Sequence, residues 1–204
     1  MVIGIQVRSG STRLPGKWNM TIGKPTVLQW VLSACRSMAP TYVLPPAGDE
    51  EIIRWCRKEN VLCHTTLAPE SDVLARYVSL ARATGESHIA RVTADCPFLF
   101  QPLCMIMNGL AQRYDVVTNI TSPRWLPDGW DYEVLSARAL TWLDRHSTLA
   151  EREHVTPALY RSPKDLEAEK ISVCSMRYPL DLSGLKWSVD TQDDLDRVRD
   201  MYHE

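Results

Sequence analysis

The chain has 204 residues, 45% apolar and 24% charged, with 23 basic side chains against 25 acidic ones for a net charge of −2. That length supports one sizeable core, and the balanced charge argues against a nucleic-acid or anionic-membrane partner. No apolar run approaches the ~18 residues of a membrane helix. The opening MVIGIQVRSG also lacks the basic start and long apolar run of a secretory signal, so a cytoplasmic protein is expected.

Residues 2–7 are apolar without polar alternation, the pattern of a strand covered on both faces. A helix is predicted over 26–38, a short strand over 42–44, a helix over 49–59 and a strand over 61–64. Residues 70–84 carry Val73, Leu74, Tyr77 and Leu80 on one helical stripe. A strand follows over 88–93, a helix over 101–113 and a strand over 115–118. Residues 131–135 read as a strand, after which Ser136 caps a helix running to 145. Pro157 limits any helix within 151–161 to a short or kinked one. Strands over 170–175 and 185–189 precede a closing helix at Thr191, whose Thr-x-x-Asp start is an Asp form of the capping box.

This β-α-β order predicts an α/β fold: one domain over residues 1–204, with a mostly parallel, Rossmann-like sheet and helices on both faces. Pro123, Pro127 and Gly129 interrupt the order and mark residues 119–135 as a Pro-rich, ligand-facing insertion. The six cysteines, at 35, 56, 63, 96, 104 and 174, contain no C-x-x-C pair and read as reduced thiols, not zinc ligands.

Ligands of open α/β sheets sit beyond the carboxyl ends of strands. After the first strand comes Gln6-Val7-Arg8-Ser9-Gly10-Ser11-Thr12-Arg13-Leu14-Pro15-Gly16-Lys17. Small residues let backbone N–H groups approach an anion, hydroxyls add donors, and Arg8, Arg13 and Lys17 supply charge, a combination suited to a triphosphate. It is neither a Walker loop, since Trp18 follows the lysine and the glycines are wrongly spaced, nor G-x-G-x-x-G. Asp95 and Asp190 each follow a predicted strand. In a parallel sheet both carboxylates emerge beside this loop, and Mg²⁺ favours one or two carboxylates together with phosphate oxygens.

The loop resembles the nucleotide-binding signature of the cytidylyltransferases that activate sugar acids. It is especially similar to the spore-coat polysaccharide cytidylyltransferase-like family, kin to the 3-deoxy-manno-octulosonate and acylneuraminate cytidylyltransferases. The resemblance continues in Ser71-Asp72-Val73-Leu74-Ala75-Arg76-Tyr77, in Arg91-Val92-Thr93-Ala94-Asp95-Cys96-Pro97 and in Pro127-Asp128-Gly129-Trp130-Asp131-Tyr132-Glu133-Val134. Two further blocks are Glu151-Arg152-Glu153-His154-Val155-Thr156-Pro157 and Trp187-Ser188-Val189-Asp190-Thr191. The five ordered blocks after the loop extend the match over nearly the whole chain.

That resemblance implies a glycosyltransferase-A-like sheet and transfer of CMP from CTP to a small anionic acceptor, with release of pyrophosphate. It implies that Gln6, Arg8, Ser9, Gly10, Ser11, Thr12, Arg13 and Lys17 bind the nucleotide. Asp95 and Asp190 would hold Mg²⁺ and, with Arg13 and Lys17, form the catalytic set. Asp131, Glu133, Arg152 and His154 are the expected acceptor contacts, with Arg124 a further candidate. Asp131 and Glu133, two apart on a strand, would face one way and could equally hold a second metal or form a solvated edge. A homodimer is also implied.

The chain departs from the family at Trp130, where a smaller apolar residue is usual, and at Leu67-Ala68-Pro69, which replaces an Arg-Gly. Two other function classes compete. A nucleotide-sugar glycosyltransferase would need a D-x-D pair, for which Asp131-Tyr132-Glu133 is an imperfect match. A non-catalytic nucleotide-binding protein would keep the loop without turnover.

Overall fold

Ile3 and Ile5 are fully buried because β1 (Val2–Gln6) lies between two parallel neighbours, with helices on both faces. The computed structural model describes residues 1–120, 123–161 and 163–203, so residues 121 and 122 of the expected insertion lie outside the described residues. From β1 the chain runs through α1 (Val27–Arg36), β2 (Thr41–Leu44), α2 (Glu50–Lys58), α3 (Val73–Thr84) and β3 (His88–Thr93). It continues through α4 (Gln101–Leu110), β4 (Val116–Thr118), β5 (Glu133–Ser136), α5 (Ala137–His146) and α6 (Leu149–Arg152). It closes with α7 (Pro157–Arg161), α8 (Pro163–Ala168), β6 (Val173–Ser175) and α9 (Gln192–His203).

Among the described residues the strands form one six-stranded sheet in the order β2-β1-β3-β5-β4-β6. β5 runs antiparallel to β3 and β4, and the other three pairings are parallel. The expected α/β class with a mostly parallel sheet is what the chain adopts. No helix among the described residues is long and apolar enough to cross a membrane.

Alternation along the strands divides the core. Ile3, Ile5, Ala90, Val92, Val117 and Val134 pack with α1, α2 and α4, whereas Val2, Ile89, Val116 and Leu135 pack with α3, α5, α7 and α8. A third cluster joins Leu14 and Ile22, from the segment after β1, to Val189 and to Leu195 and Val198 of α9. Side-chain caps start the helices, those at Ser136 and Thr191 as the sequence predicts. The Thr26 hydroxyl accepts from Gln29 N–H in a full capping box, and Ser136 accepts from Ala139 N–H. Thr191 and Asp194 cap α9 reciprocally, each side chain accepting from the other's backbone N–H.

Several expected elements differ. Residues 61–64 make only a single bridge, Val43 to Cys63, beside β2. The span 151–161 splits into α6 and α7 around Val155, whose φ of 72° breaks the helical path shortly before Pro157. The strand expected over 131–135 starts at Glu133, since the Tyr132 N–H before it donates to the Asn119 side chain at 2.8 Å.

Residues 185–189 form no strand. They run beside the Pro-rich segment through one bridge, Asp128 to Lys186, and the Asp128 carbonyl accepts from both Trp187 N–H and Ser188 N–H at 2.6 and 3.1 Å. Gly129 permits that approach, with φ of 111° and an imagined Cβ 2.6 Å from the Ser188 nitrogen. Gly129→Ala should therefore lower stability by about 1–3 kcal/mol from backbone strain alone, read as a lower urea midpoint with an unchanged m-value.

Candidate active site

The chain leaves β1 for β2 on one side and later places β3 on the other, so a crevice opens at the carboxyl ends of β1 and β3. A cavity of about 330 Å³ lies there. The loop from β1 is pinned across it by two buried apolar side chains. Leu14 enters the cluster with α9, and Trp18 packs edge-on against Trp55 of α2, 5.6 Å between ring centres. Between them Gly16 takes φ of 69°, and the chain turns into a short 3₁₀ turn (Lys17–Asn19).

This anchoring delivers Lys17 between two carboxylates. Its Nζ donates to Asp95 Oδ2 at 2.9 Å, to Asp190 Oδ1 at 3.0 Å and to the Val189 carbonyl at 2.8 Å. Arg13 donates to the same Asp190 oxygen at 2.8 Å, and Lys186 Nζ lies 3.5 Å from the other. Burial pulls the Lys17 pKa down, but the Asp95 charge, with Asp190 behind it, outweighs burial and the net shift is upward. Burial likewise pushes Asp95 up, and the Lys17 charge and hydrogen bond reverse this to leave it below the ordinary carboxylate value. Asp95 and Asp190 thus converge on one cation, joined by a carbonyl oxygen.

Those hard oxygen donors suit Mg²⁺ when phosphate oxygens complete the shell. Among the described residues no group of three or more His, Cys, Asp or Glu side chains could hold a metal by itself. The fit is to a shared site, not to a protein cage.

Gln6, Arg8, Ser11, Thr12, Arg13 and Lys17 all line the cavity. Ser9 and Gly10 do not, and Ser9 N–H donates instead to Asp49 Oδ2 at 2.7 Å, tying the loop to the cap of α2. Of the acceptor candidates, Asp131 and His154 reach the cavity. Glu133 and Arg152 do not.

The expectation that Asp131 and Glu133 share an open edge fails. Asp131 is gripped bidentately by Arg124 at 2.6 and 3.0 Å, whereas Glu133 is fully buried. Glu133 accepts from Arg91 at 2.8 Å and from the hydroxyls of Thr118, Thr156 and Tyr160 at 2.9 to 3.1 Å. Arg152 is consumed by Asp72 and Asp144, each at 2.8 Å, and so braces α6 against α3 and α5. Trp130 stacks on Phe100 at 4.6 Å and tilts against Trp187, outside the cavity wall.

Sequence reasoning assigned no role to Arg76 and Arg91, which line the cavity from α3 and β3. The available signal was an arginine in the middle of an apolar strand, a charge that cannot be buried without partners.

The cytidylyltransferase family profile matches residues 1–201. The chain belongs to the cytidylyltransferase family. It is 29% identical, over 217 aligned residues covering 98% of the chain and 85% of the relative, to the spore coat polysaccharide biosynthesis protein SpsF of Bacillus subtilis (strain 168). A solved cytidylyltransferase from Leptospira borgpetersenii serovar Hardjo-bovis (strain JB197) superposes with a TM-score of 0.83 at 27% identity, covering 97% of this chain and 84% of that one. CMP:2-keto-3-deoxy-manno-octonic acid synthetase, solved with CTP, shares the fold at a TM-score of 0.72 and 15% identity, over 99% and 98% of the two chains.

In this cytidylyltransferase Cys96 lines the cavity, and burial, with Asp95 beside it, pushes its thiol well above its ordinary value. The Arg91–Glu133 pair is structural to its floor. Glu133→Ala leaves the buried guanidinium unpaired and should cost about 3–5 kcal/mol of unfolding free energy, measurable by urea denaturation.

Proposed function

We propose that this cytidylyltransferase transfers CMP from CTP to a small anionic acceptor in a Mg²⁺-dependent reaction that releases pyrophosphate. The convergence of Asp95 and Asp190 on Lys17, with Arg13 on the same carboxylate, carries this reading. Arg8, Ser11, Thr12, Arg13 and Lys17 would bind the nucleotide. Arg8 and Arg13 lie on the exposed side of the loop, where they can meet β- and γ-phosphates.

An acceptor oxygen attacks the α-phosphorus, the bond to the bridging oxygen breaks, and pyrophosphate leaves carrying the displaced electron pair. Negative charge grows on the departing group, and fixed cations stabilise it without reorganising. Lys17 is the most rigid of them, with all three N–H bonds directed by protein oxygens. Asp95 and Asp190 would hold Mg²⁺, which when bound supplies Lewis-acid polarisation of the α-phosphate. An acceptor that is already ionised needs no strong base. The glycosyltransferase reading loses its only motif, since Asp131 is tied to Arg124 and Glu133 is sealed in the core.

Pyrophosphate release from CTP against a panel of sugar acids and phosphonates, with and without Mg²⁺, tests the assignment. Lys17→Ala should cut turnover about a hundredfold, or about 3 kcal/mol, in a protein whose circular dichroism is unchanged. Full turnover by that variant would reject the mechanism. Asp190→Asn should weaken Mn²⁺ binding to the CTP complex, followed by electron paramagnetic resonance, by more than the roughly 10–100-fold that follows loss of a supporting contact.

A further inference from the structure

Among the cations that line the cavity, Arg8 and Arg13 are on the exposed loop, and Lys17 has every donor engaged. Arg76 closes the wall by donating to the carbonyls of Leu44 and Glu70. Arg91 is different. Its side chain is 10% exposed, its Nε donates to Gln6 Oε1 at 3.1 Å, and its Nη1 donates to Glu133 at 2.8 Å. Its Nη2 meets no acceptor among the described residues, although Arg91 lines the cavity.

A guanidinium Nε only donates, so the Gln6 atom that it meets is the amide oxygen. Tyr77 OH donates to the same oxygen at 3.2 Å, so the Gln6 amino group, Nε2, is the other end of the amide; it meets no acceptor among the described residues, and Gln6 lines the same cavity. Two unspent donors, Arg91 Nη2 and Gln6 Nε2, thus come from adjacent parallel strands. Register places Gly4 opposite Arg91 and Gln6 opposite Thr93, so the pair lies toward the sheet from the phosphate loop.

The support behind this fork exceeds what charge neutralisation requires. Arg91 alone would neutralise Glu133, yet three hydroxyls from β4, α7 and the residue before α7 also donate to that carboxylate. They lock the carboxylate, and through it the guanidinium plane, in one orientation. Asp131, the other carboxylate near Arg91, is occupied by Arg124 and does not compete for Nη2. Planar, pre-oriented guanidinium donors recognise carboxylate and phosphonate oxygens.

Resting on the proposed cytidylyl transfer, we propose that Arg91 Nη2 and Gln6 Nε2 bind the anionic group of the acceptor, with Glu133 as the positioning residue behind them. Arg91, not Arg152, then carries acceptor recognition, and Gln6 serves the acceptor side of the cavity.

Methylphosphonate is the probe, titrated by ³¹P NMR against the protein with and without saturating CTP. Wild type should bind CTP and methylphosphonate together. Arg91→Lys keeps a cation opposite Glu133 but cannot span Gln6, Glu133 and a ligand, so it should weaken methylphosphonate binding by about tenfold or more with CTP affinity unchanged. If Arg91→Lys is poorly folded, the double variant R91Q/E133Q removes both charges together and should show the same selective loss. Equal methylphosphonate affinity in the folded variants, displacement of CTP by methylphosphonate, or no binding to CTP-loaded wild type would each overturn the assignment. Failure of wild type to bind CTP would overturn the cytidylyl-transfer reading and this inference with it.

Discussion

Two carboxylates held together away from water cannot both stay ionised unless a cation lies between them. Lys17 is that cation, reaching Asp95 and Asp190 across 78 and 173 residues of sequence. The contact ties the first loop, the end of β3 and the entrance to α9 to a single atom. Leu14, Trp18 and Val189 supply the apolar anchorage, with Leu14 and Val189 meeting in one cluster. Stability and chemistry are coupled there, because the bonds that close the crevice also set the charge pattern a triphosphate meets.

A second buried ion pair shapes the other half of the cavity. On the α3 side the sheet is dry over Val2, Ile89, Val116 and Leu135, then turns polar toward the carboxyl end of β1 and β3 with Gln6, Arg91, Thr118 and Glu133. β5 makes this possible. Because it runs antiparallel, its first residue, Glu133, reaches the edge where its parallel neighbours end, opposite Arg91 and Thr118. A well-packed apolar pair there would be as stable or more so, so the buried Thr118 and Glu133 are better understood as the support that orients Arg91 for the proposed acceptor site.

Much of this was legible from residues alone. The uninterrupted apolar run of β1, the stripe of α3 and the caps at Ser136 and Thr191 depend on local periodicity and local hydrogen bonds, which sequence carries directly. The meeting of Arg13, Lys17 and Asp95 follows from one topological rule, that residues after parallel strands share an edge, whereas Asp190 reaches it from a segment that forms no strand. What sequence could not carry were competitions settled in three dimensions. Arg152 has the charge to bind an acceptor, but Asp72 and Asp144 reach it first. Glu133 has the period of an exposed edge, but β4, α7 and Arg91 enclose it. Residues 185–189 have the composition of a strand, but their neighbour is the irregular segment around Gly129.

The charge balance of the cavity lining decides which contacts a polyanion can recruit. Five arginine and lysine side chains line it against six carboxylates, so the site nearly neutralises itself and has no large excess of positive charge to offer. A triphosphate must therefore take cations from partners already present, and the strength of those partnerships differs. Arg8 stands 3.5 Å from Glu70 and 3.8 Å from Glu153 with nearly half its side chain exposed, contacts that water and salt largely screen. Arg13 is more exposed still and gives one short bond to Asp190, whereas Lys17 is enclosed and triply bonded. The cations thus form a gradient from loosely to tightly held along the loop, and the outer arginines yield to phosphate at the least cost. Lys17, held by Asp95, Asp190 and the Val189 carbonyl, would act in the proposed reaction through its fixed charge and keep these partners.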